Sequence, residues 1–188
     1  MNQTRRIRYN SPVVLTFALL SLLALLLGKI TGGRSTTLLF CVYRSSFRDI
    51  FTYPRFFLHV LGHSGWAHYS GNIMLMLVVG PQLEARYGSR TLLYAVTVTA
   101  FLTGLIQFVF FPGTALMGAS GIVFMMILLA SMGSERGGGI PLTLILVALF
   151  YIGGEIFTAV TSADNISQLS HVIGGICGAI LGFRLQKQ

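Results

Sequence analysis

The chain has 188 residues, of which 54% are hydrophobic and only 10% charged, with a mean hydropathy of +0.76 and a formal net charge of +8. A soluble domain carries about 25% charged residues, so the composition excludes an ordinary water-soluble globule and points to a chain solvated mostly by the lipid bilayer. The positive charge gathers at the ends of apolar runs instead of forming a basic, aromatic-interleaved surface, which excludes nucleic acid as a partner.

In chain order, Arg5, Arg6 and Arg8 precede an apolar run beginning at Pro12. It resembles a signal peptide, but no small-residue cleavage site follows Leu27-Gly28-Lys29, so an uncleaved first span over 12–30 is expected. Residues 31–66 are too polar to span. Phe47, Ile50, Phe51, Tyr53, Phe56, Phe57 and Leu58 are interleaved there with Arg44, Arg48, Asp49 and Arg55, the mixture of a segment lying at the membrane interface. Further spans are expected over 66–87, 91–110, 119–132, 140–160 and 169–184. The fifth carries an intramembrane acid, Glu155, for which the sequence offers no role. The whole is read as a single all-α, six-helix membrane domain. Cys41 falls in the first loop and Cys177 in the last helix, and they form neither a disulfide framework nor a metal motif.

Charges orient this layout. Arg5, Arg6, Arg8, Arg86, Arg90, Arg136, Arg184 and Lys187 fall on one side, and Lys29, Arg34, Arg44, Arg48 and Arg55 on the other, all in or beside the first loop. The excess marks the first side as cytoplasmic, with both termini there. Ser120, Asn72 and His171 lie 15, 14 and 13 residues from Glu135, Arg86 and Arg184, the charges at the inner ends of their helices. At 1.5 Å per residue all three sit roughly 20–22 Å above the cytoplasmic face, in a layer sunk on the order of 10 Å below the outer surface of a hydrocarbon core about 30 Å thick.

Such a layer can carry nucleophilic chemistry. Ser120 sits in Met117-Gly118-Ala119-Ser120-Gly121, where small residues admit close approach as a loop becomes a helix. Its hydroxyl needs a base, and neutral histidine is the usual one. His68 and Asn72, spaced i, i+4, share a helical face and both can donate to an oxyanion. The amides opening the fourth helix, that of Ser120 included, have no intrahelical partner. Gly174, Gly178 and Gly182 form a small-residue stripe that lets the His171 helix approach the Ser120 helix.

These residues resemble the rhomboid intramembrane serine proteases. The likeness rests on Gly118-Ala119-Ser120-Gly121, on His68-x-x-x-Asn72 preceded by His63, on Glu84-x-Arg86, and on His171-x-x-Gly174-x-x-x-Gly178, in the family's order. The resemblance implies a six-helix bundle in its minimal form, with Ser120 as nucleophile and His171 as general base of a dyad. It also implies an oxyanion hole from His68, Asn72 and the Ser120 amide, with Gly118 turning the loop beneath it. His63, Glu84, Arg86, Phe124, Gly174 and Gly178 are expected to support the structure. Three departures stand out: Pro54-Arg55 where the family usually has Trp-Arg, Phe124 where a tyrosine is common, and Ser170 in place of a small alanine. Phe124 keeps a ring to stack on the imidazole but lacks the hydroxyl.

The expected activity is peptide-bond hydrolysis at or just inside the outer boundary of single-span membrane proteins, without metal or cofactor, in a bacterial or archaeal plasma membrane. The fifth helix, with Phe150, Tyr151 and Phe157, is expected to act as a lateral gate. Two other classes compete. A transporter or metal channel would use His59, His63, His68 and His171, but these come from separate segments without a carboxylate partner set, and no inverted repeat is visible. An inactive, client-binding relative should lack Ser120 or His171, and both are present. A metalloprotease is excluded by the absence of H-E-x-x-H.

Overall fold

The structure, a computed structural model, describes residues 9–132 and 166–185, with helical positions 142, 145, 146, 149 and 150 between them. It is mainly helical. Helix α1 spans Pro12–Ile30 and α2 spans Arg34–Leu39; strand β1 is Val42–Tyr43; α3, Thr52–Leu58, runs into a 3-10 turn over His59–Leu61. Then come α4 (Trp66–Tyr87), α5 (Ser89–Phe110), strand β2 (Ala115–Leu116), α6 (Ser120–Met132) and α7 (Ile166–Leu185). Apart from the isolated helical positions, the expected fifth span lies outside the described residues, and Glu155, Tyr151 and Phe157 lie outside them altogether. Helix α7 begins at Ile166, three residues ahead of the apolar run, because a helix end can extend by a polar turn that an apolar pattern does not mark.

Length and apolarity suffice for membrane crossing in α1 and α5, while α6 and residues 170–185 of α7 are shorter apolar helices. Helix α4 has 22 residues, about 33 Å at 1.5 Å per residue, but His68, Asn72, Glu84 and Arg86 make it too polar to pass on composition. Large side chains stand exposed along these helices, among them Leu19, Leu23 and Ile30 on α1, Met74 and Val78 on α4, Leu93 and Phe110 on α5, and Ile176 and Ile180 on α7. That is the surface a lipid-solvated bundle presents, and it fits a membrane protein.

Helix α6 is the axis of the fold. Ile122, Val123, Phe124, Met125, Met126, Leu128, Leu129 and Met132 are all buried; a helix apolar all round must be kept from water, and here neighbouring helices do so. It packs against α4, α5 and α7. The α6–α7 contact is backbone to backbone: a Cβ at Gly174 would overlap the Gly121 carbonyl, and one at Gly178 would overlap the Met125 carbonyl.

Two polar ties fix the periphery. The Glu84 carboxylate accepts the amides of Val13 (2.9 Å) and Val14 (3.1 Å) and the hydroxyl of Ser89 (2.7 Å). It thereby satisfies N–H groups that the start of α1 leaves open and places a negative charge at the positive end of that helix. In the first loop the buried Arg55 guanidinium donates to the Leu38 carbonyl (2.9 Å) and pairs with Asp49 (3.0 Å). It also lies over the Tyr43 ring at 4.5 Å.

Candidate active site

The loop beneath Ser120 is held from the first loop. Strands β1 and β2 pair antiparallel, Val42 with Leu116 and Tyr43 with Ala115. One turn on, the Gly118 amide donates to the His59 carbonyl at 3.0 Å. The His59 ring is buried, with Nδ1 donating to the Arg55 carbonyl (3.1 Å) and Nε2 at 3.3 Å from the Thr103 hydroxyl. Burial pushes its pKa down to about 4, so the ring is neutral near pH 7. Phe56 anchors the same loop on α5 through edge contacts with Phe108 (5.3 Å) and Phe101 (6.1 Å). The region expected as an interfacial segment therefore has a buried inner side, while Phe47, Ile50 and Tyr53 remain exposed.

Gly118 turns the chain with φ of 129°, a conformation that side chains rarely adopt. A Cβ there would lie 2.8 Å from His68 Nε2 and 3.9 Å from Asn72 Nδ2. Those two nitrogens therefore converge on the Gly118 backbone from one face of α4. His68 Nδ1 is 3.2 Å from the Ser64 hydroxyl and 3.5 Å from the Ser64 amide. A backbone N–H can only donate, so Nδ1 is the acceptor and Nε2 carries the proton toward Gly118. Asn72 is buried, and its Nδ2 has no hydrogen-bond partner among the described residues. A buried amide donor without a partner is rare and costly, and this one faces the Gly118 turn.

Two residues after Gly118, Ser120 opens α6. The first intrahelical bond runs from the Val123 amide to the Ala119 carbonyl (2.9 Å), so the amides of Ser120, Gly121 and Ile122 precede the helical ladder. His171 lies on α7 at the level where the two backbones touch: a Cβ on Gly121 would be 3.1 Å from the Ser170 carbonyl, and Gly174 meets Gly121 directly. The Phe124 ring stacks on the His171 imidazole with centroids 4.3 Å apart and planes inclined by 3°. Ser120, His171, Phe124, Gly121 and Gly174 thus form one neighbourhood, and His68, Asn72 and Gly118 adjoin it through the loop.

His63 stands behind this group, buried, with Nδ1 donating to the Leu61 carbonyl (3.1 Å) and its ring edge-on to His68 at 4.9 Å. Burial and the neighbouring His68 push its pKa down to about 4. Arg86 lies at the C-terminal end of α4 over the Tyr87 ring (5.3 Å), far along the helix from His68. Among the described residues no cluster of three or more metal-ligating side chains is found.

The Rhomboid domain family matches residues 51–188, from the first loop to the end of the chain. The chain belongs to the rhomboid family. A curated relative, Rhomboid-related protein 1 of Caenorhabditis elegans, is 28% identical over 141 residues. The alignment covers 69% of this rhomboid chain and 39% of that protein, so the chain spans well under half of the relative's length.

Sequence reasoning found the Ser120 amide but missed the backbone contacts that hold its loop. The His59 carbonyl that holds Gly118 and the β1–β2 pairing carry no side-chain signature. Arg44, read from the sequence only as a charge of the interfacial segment, also caps a helix: its guanidinium donates to the carbonyls of Phe108 (2.7 Å) and Val109 (2.6 Å), closing the end of α5. An arginine opposite a helix C-terminus is a usable signal, but only once the fold places it there.

Proposed function

We propose that this rhomboid is an intramembrane serine endopeptidase. The observation that carries the reading is the convergence of His68 Nε2 and Asn72 Nδ2 on the Gly118 turn, two residues before a serine whose helix touches the backbone of the histidine helix. Donors gathered at one turn, with Asn72 Nδ2 unpartnered among the described residues, are what acyl transfer requires of an oxyanion hole.

In this mechanism His171 takes the proton from Ser120 Oγ as the oxygen attacks the scissile carbonyl. The tetrahedral intermediate's oxyanion receives hydrogen bonds from the Ser120 amide, His68 Nε2 and Asn72 Nδ2. Protonated His171 gives its proton to the leaving amine as the C–N bond breaks, leaving an ester on Ser120. Water, deprotonated by His171, attacks the ester, and the proton returns to Ser120 as the new carboxylic acid departs. Phe124 holds the imidazole plane throughout.

In this reading six spans leave both termini in the cytoplasm with the site open to the extracytoplasmic side, a topology supported by the distribution of Lys and Arg in the sequence. Substrates are single-span proteins. A substrate helix must unwind locally, because its carbonyls are hydrogen-bonded, so glycine or other helix-breaking residues near the outer boundary favour cleavage.

The test is cleavage of a glycine-containing model transmembrane substrate by purified protein in detergent. Product from wild type, absent with Ser120→Ala and insensitive to chelator, is expected. Equal product from both proteins would reject the dyad. A poly-leucine span cut as fast as the glycine-containing one would reject the unwinding requirement.

A further inference from the structure

A cavity of about 460 Å³ lies against the outer flank of the site. Its inner wall is His63, Ser64 and Met117, the residues immediately behind His68 and Gly118; its outer wall comes from α1 and α2 and includes Leu25, Lys29 and Thr36. A second cavity of about 430 Å³ shares Gly32, Gly33 and Thr37 with the first and continues outward to Arg34 and Tyr43. The two form one groove running from the site along the first loop.

Its chemistry is one-sided. Each half holds one cation, Lys29 in the first and Arg34 in the second, and among the described residues neither lining contains a carboxylate. The acid of the same loop, Asp49, is paired with Arg55 elsewhere. Lys29 Nζ is 5.4 Å from the centre of the Trp66 ring, which steadies the exposed ammonium beside the groove without neutralising it. Leu25 and Met117 supply an apolar floor, and the Thr36, Thr37 and Ser64 hydroxyls supply hydrogen-bonding groups.

We propose that this groove binds the extramembrane flank of the substrate and selects an acidic residue there, with a glutamate stem on the Leu25–Met117 floor and its carboxylate beside Lys29 or Arg34. The proposal rests on the protease reading and names the substrate class of the same site. A basic residue at that position is repelled by both cations. Anionic lipid headgroups share the carboxylate's charge, and the test separates the two.

The experiment uses one model transmembrane substrate with Glu, Gln or Lys placed in turn at each of several positions outside the cleavage site. Wild type, Lys29→Gln, Lys29→Glu and the Lys29→Glu/Arg34→Glu double variant are compared in zwitterionic bicelles. At one position wild type should cleave the Glu substrate about twofold to fivefold faster than the Lys substrate in kcat/KM, the range open to an exposed ion pair. Lys29→Gln should reduce the preference, and the double variant should reverse it. Ser120-dependent cleavage without charge preference, or a preference the variants leave unchanged, overturns the groove and leaves the protease reading standing. Should no substrate be cleaved, binding of fluorescent Glu and Lys peptides to Ser120→Ala protein decides: reversal of preference in the double variant supports the groove, and equal binding overturns it. Phosphatidylglycerol that alters rates through Lys29 and Arg34 while peptide charge has no effect assigns the groove to lipid and overturns the proposal.

Discussion

Gly118→Ala is the substitution in which backbone and site geometry make the same demand. The residue holds φ of 129°, and an added Cβ would lie 2.8 Å from His68 Nε2 and 2.9 Å from its Cε1. Holding a non-glycine residue in so sparsely populated a region costs about 1–3 kcal/mol. The clash must then be relieved by moving the loop or the imidazole. The loop is tied through the Gly118 amide to the His59 carbonyl (3.0 Å), and the imidazole through Nδ1 to Ser64, so either movement misaligns a donor. Loss of one oxyanion donor costs about 10²–10³ in kcat. The expected outcome is therefore a kcat lower by about 10²-fold or more, a KM within about threefold of wild type, and a thermal midpoint lowered by a few degrees. Cleavage of the model substrate, normalised to folded protein, measures kcat and KM, and a thermal denaturation curve measures the midpoint. Gly113→Ala is the control: it has no positive φ and open space where its Cβ would be. A Gly118→Ala protein within threefold of wild-type kcat would refute the reasoning, because the donors would then not depend on this turn.

Other consequences are as specific. Asn72→Ala should lower kcat by about 10²-fold while leaving stability unchanged or slightly raised, since the amide it removes has no described partner; loss of stability in step with activity would make Asn72 a packing residue. Glu84→Ala leaves the Val13 and Val14 amides without their acceptor and should cost about 1.5–3 kcal/mol of stability, read as a denaturation midpoint, with the rate per folded molecule unchanged. The buried histidines of the first loop set a pH window. His59 and His63 have folded pKa values of about 4 against 6.5 unfolded, so between those values the unfolded chain binds more protons. Stability is complete above pH 6.5 and falls as pH drops toward 4. His59→Gln should flatten that slope in a melting series, and a slope of the same size in wild type and variant would contradict the assignment.

Much of the candidate site's arrangement could be read from the sequence because its side chains sit at helical spacing. His68 and Asn72 at i, i+4 had to share a face, and the Gly174–Gly178 stripe had to mark a close helix approach; both are found where the periodicity puts them. The element most exposed to misreading was the first loop. Its mixture of aromatics and arginines suited an interfacial segment, but nothing local announced that Val42 and Tyr43 would pair with Leu116 and Ala115. Two-residue strands joined across more than 70 positions leave no local pattern. Glu84 was legible as a structural acid, yet its partners, the first amides of α1, are backbone groups 70 residues away. The departure at Phe124 is also explained by geometry: stacking at 4.3 Å needs only the ring.

The most direct test of the account is labelling by a serine-reactive fluorophosphonate, with the modified residue located by peptide mass analysis. The account predicts a single adduct on Ser120 of the wild type, abolished by His171→Ala and slowed by Asn72→Ala. Adduct on another serine, or labelling of Ser120 at the same rate without His171, would contradict the dyad.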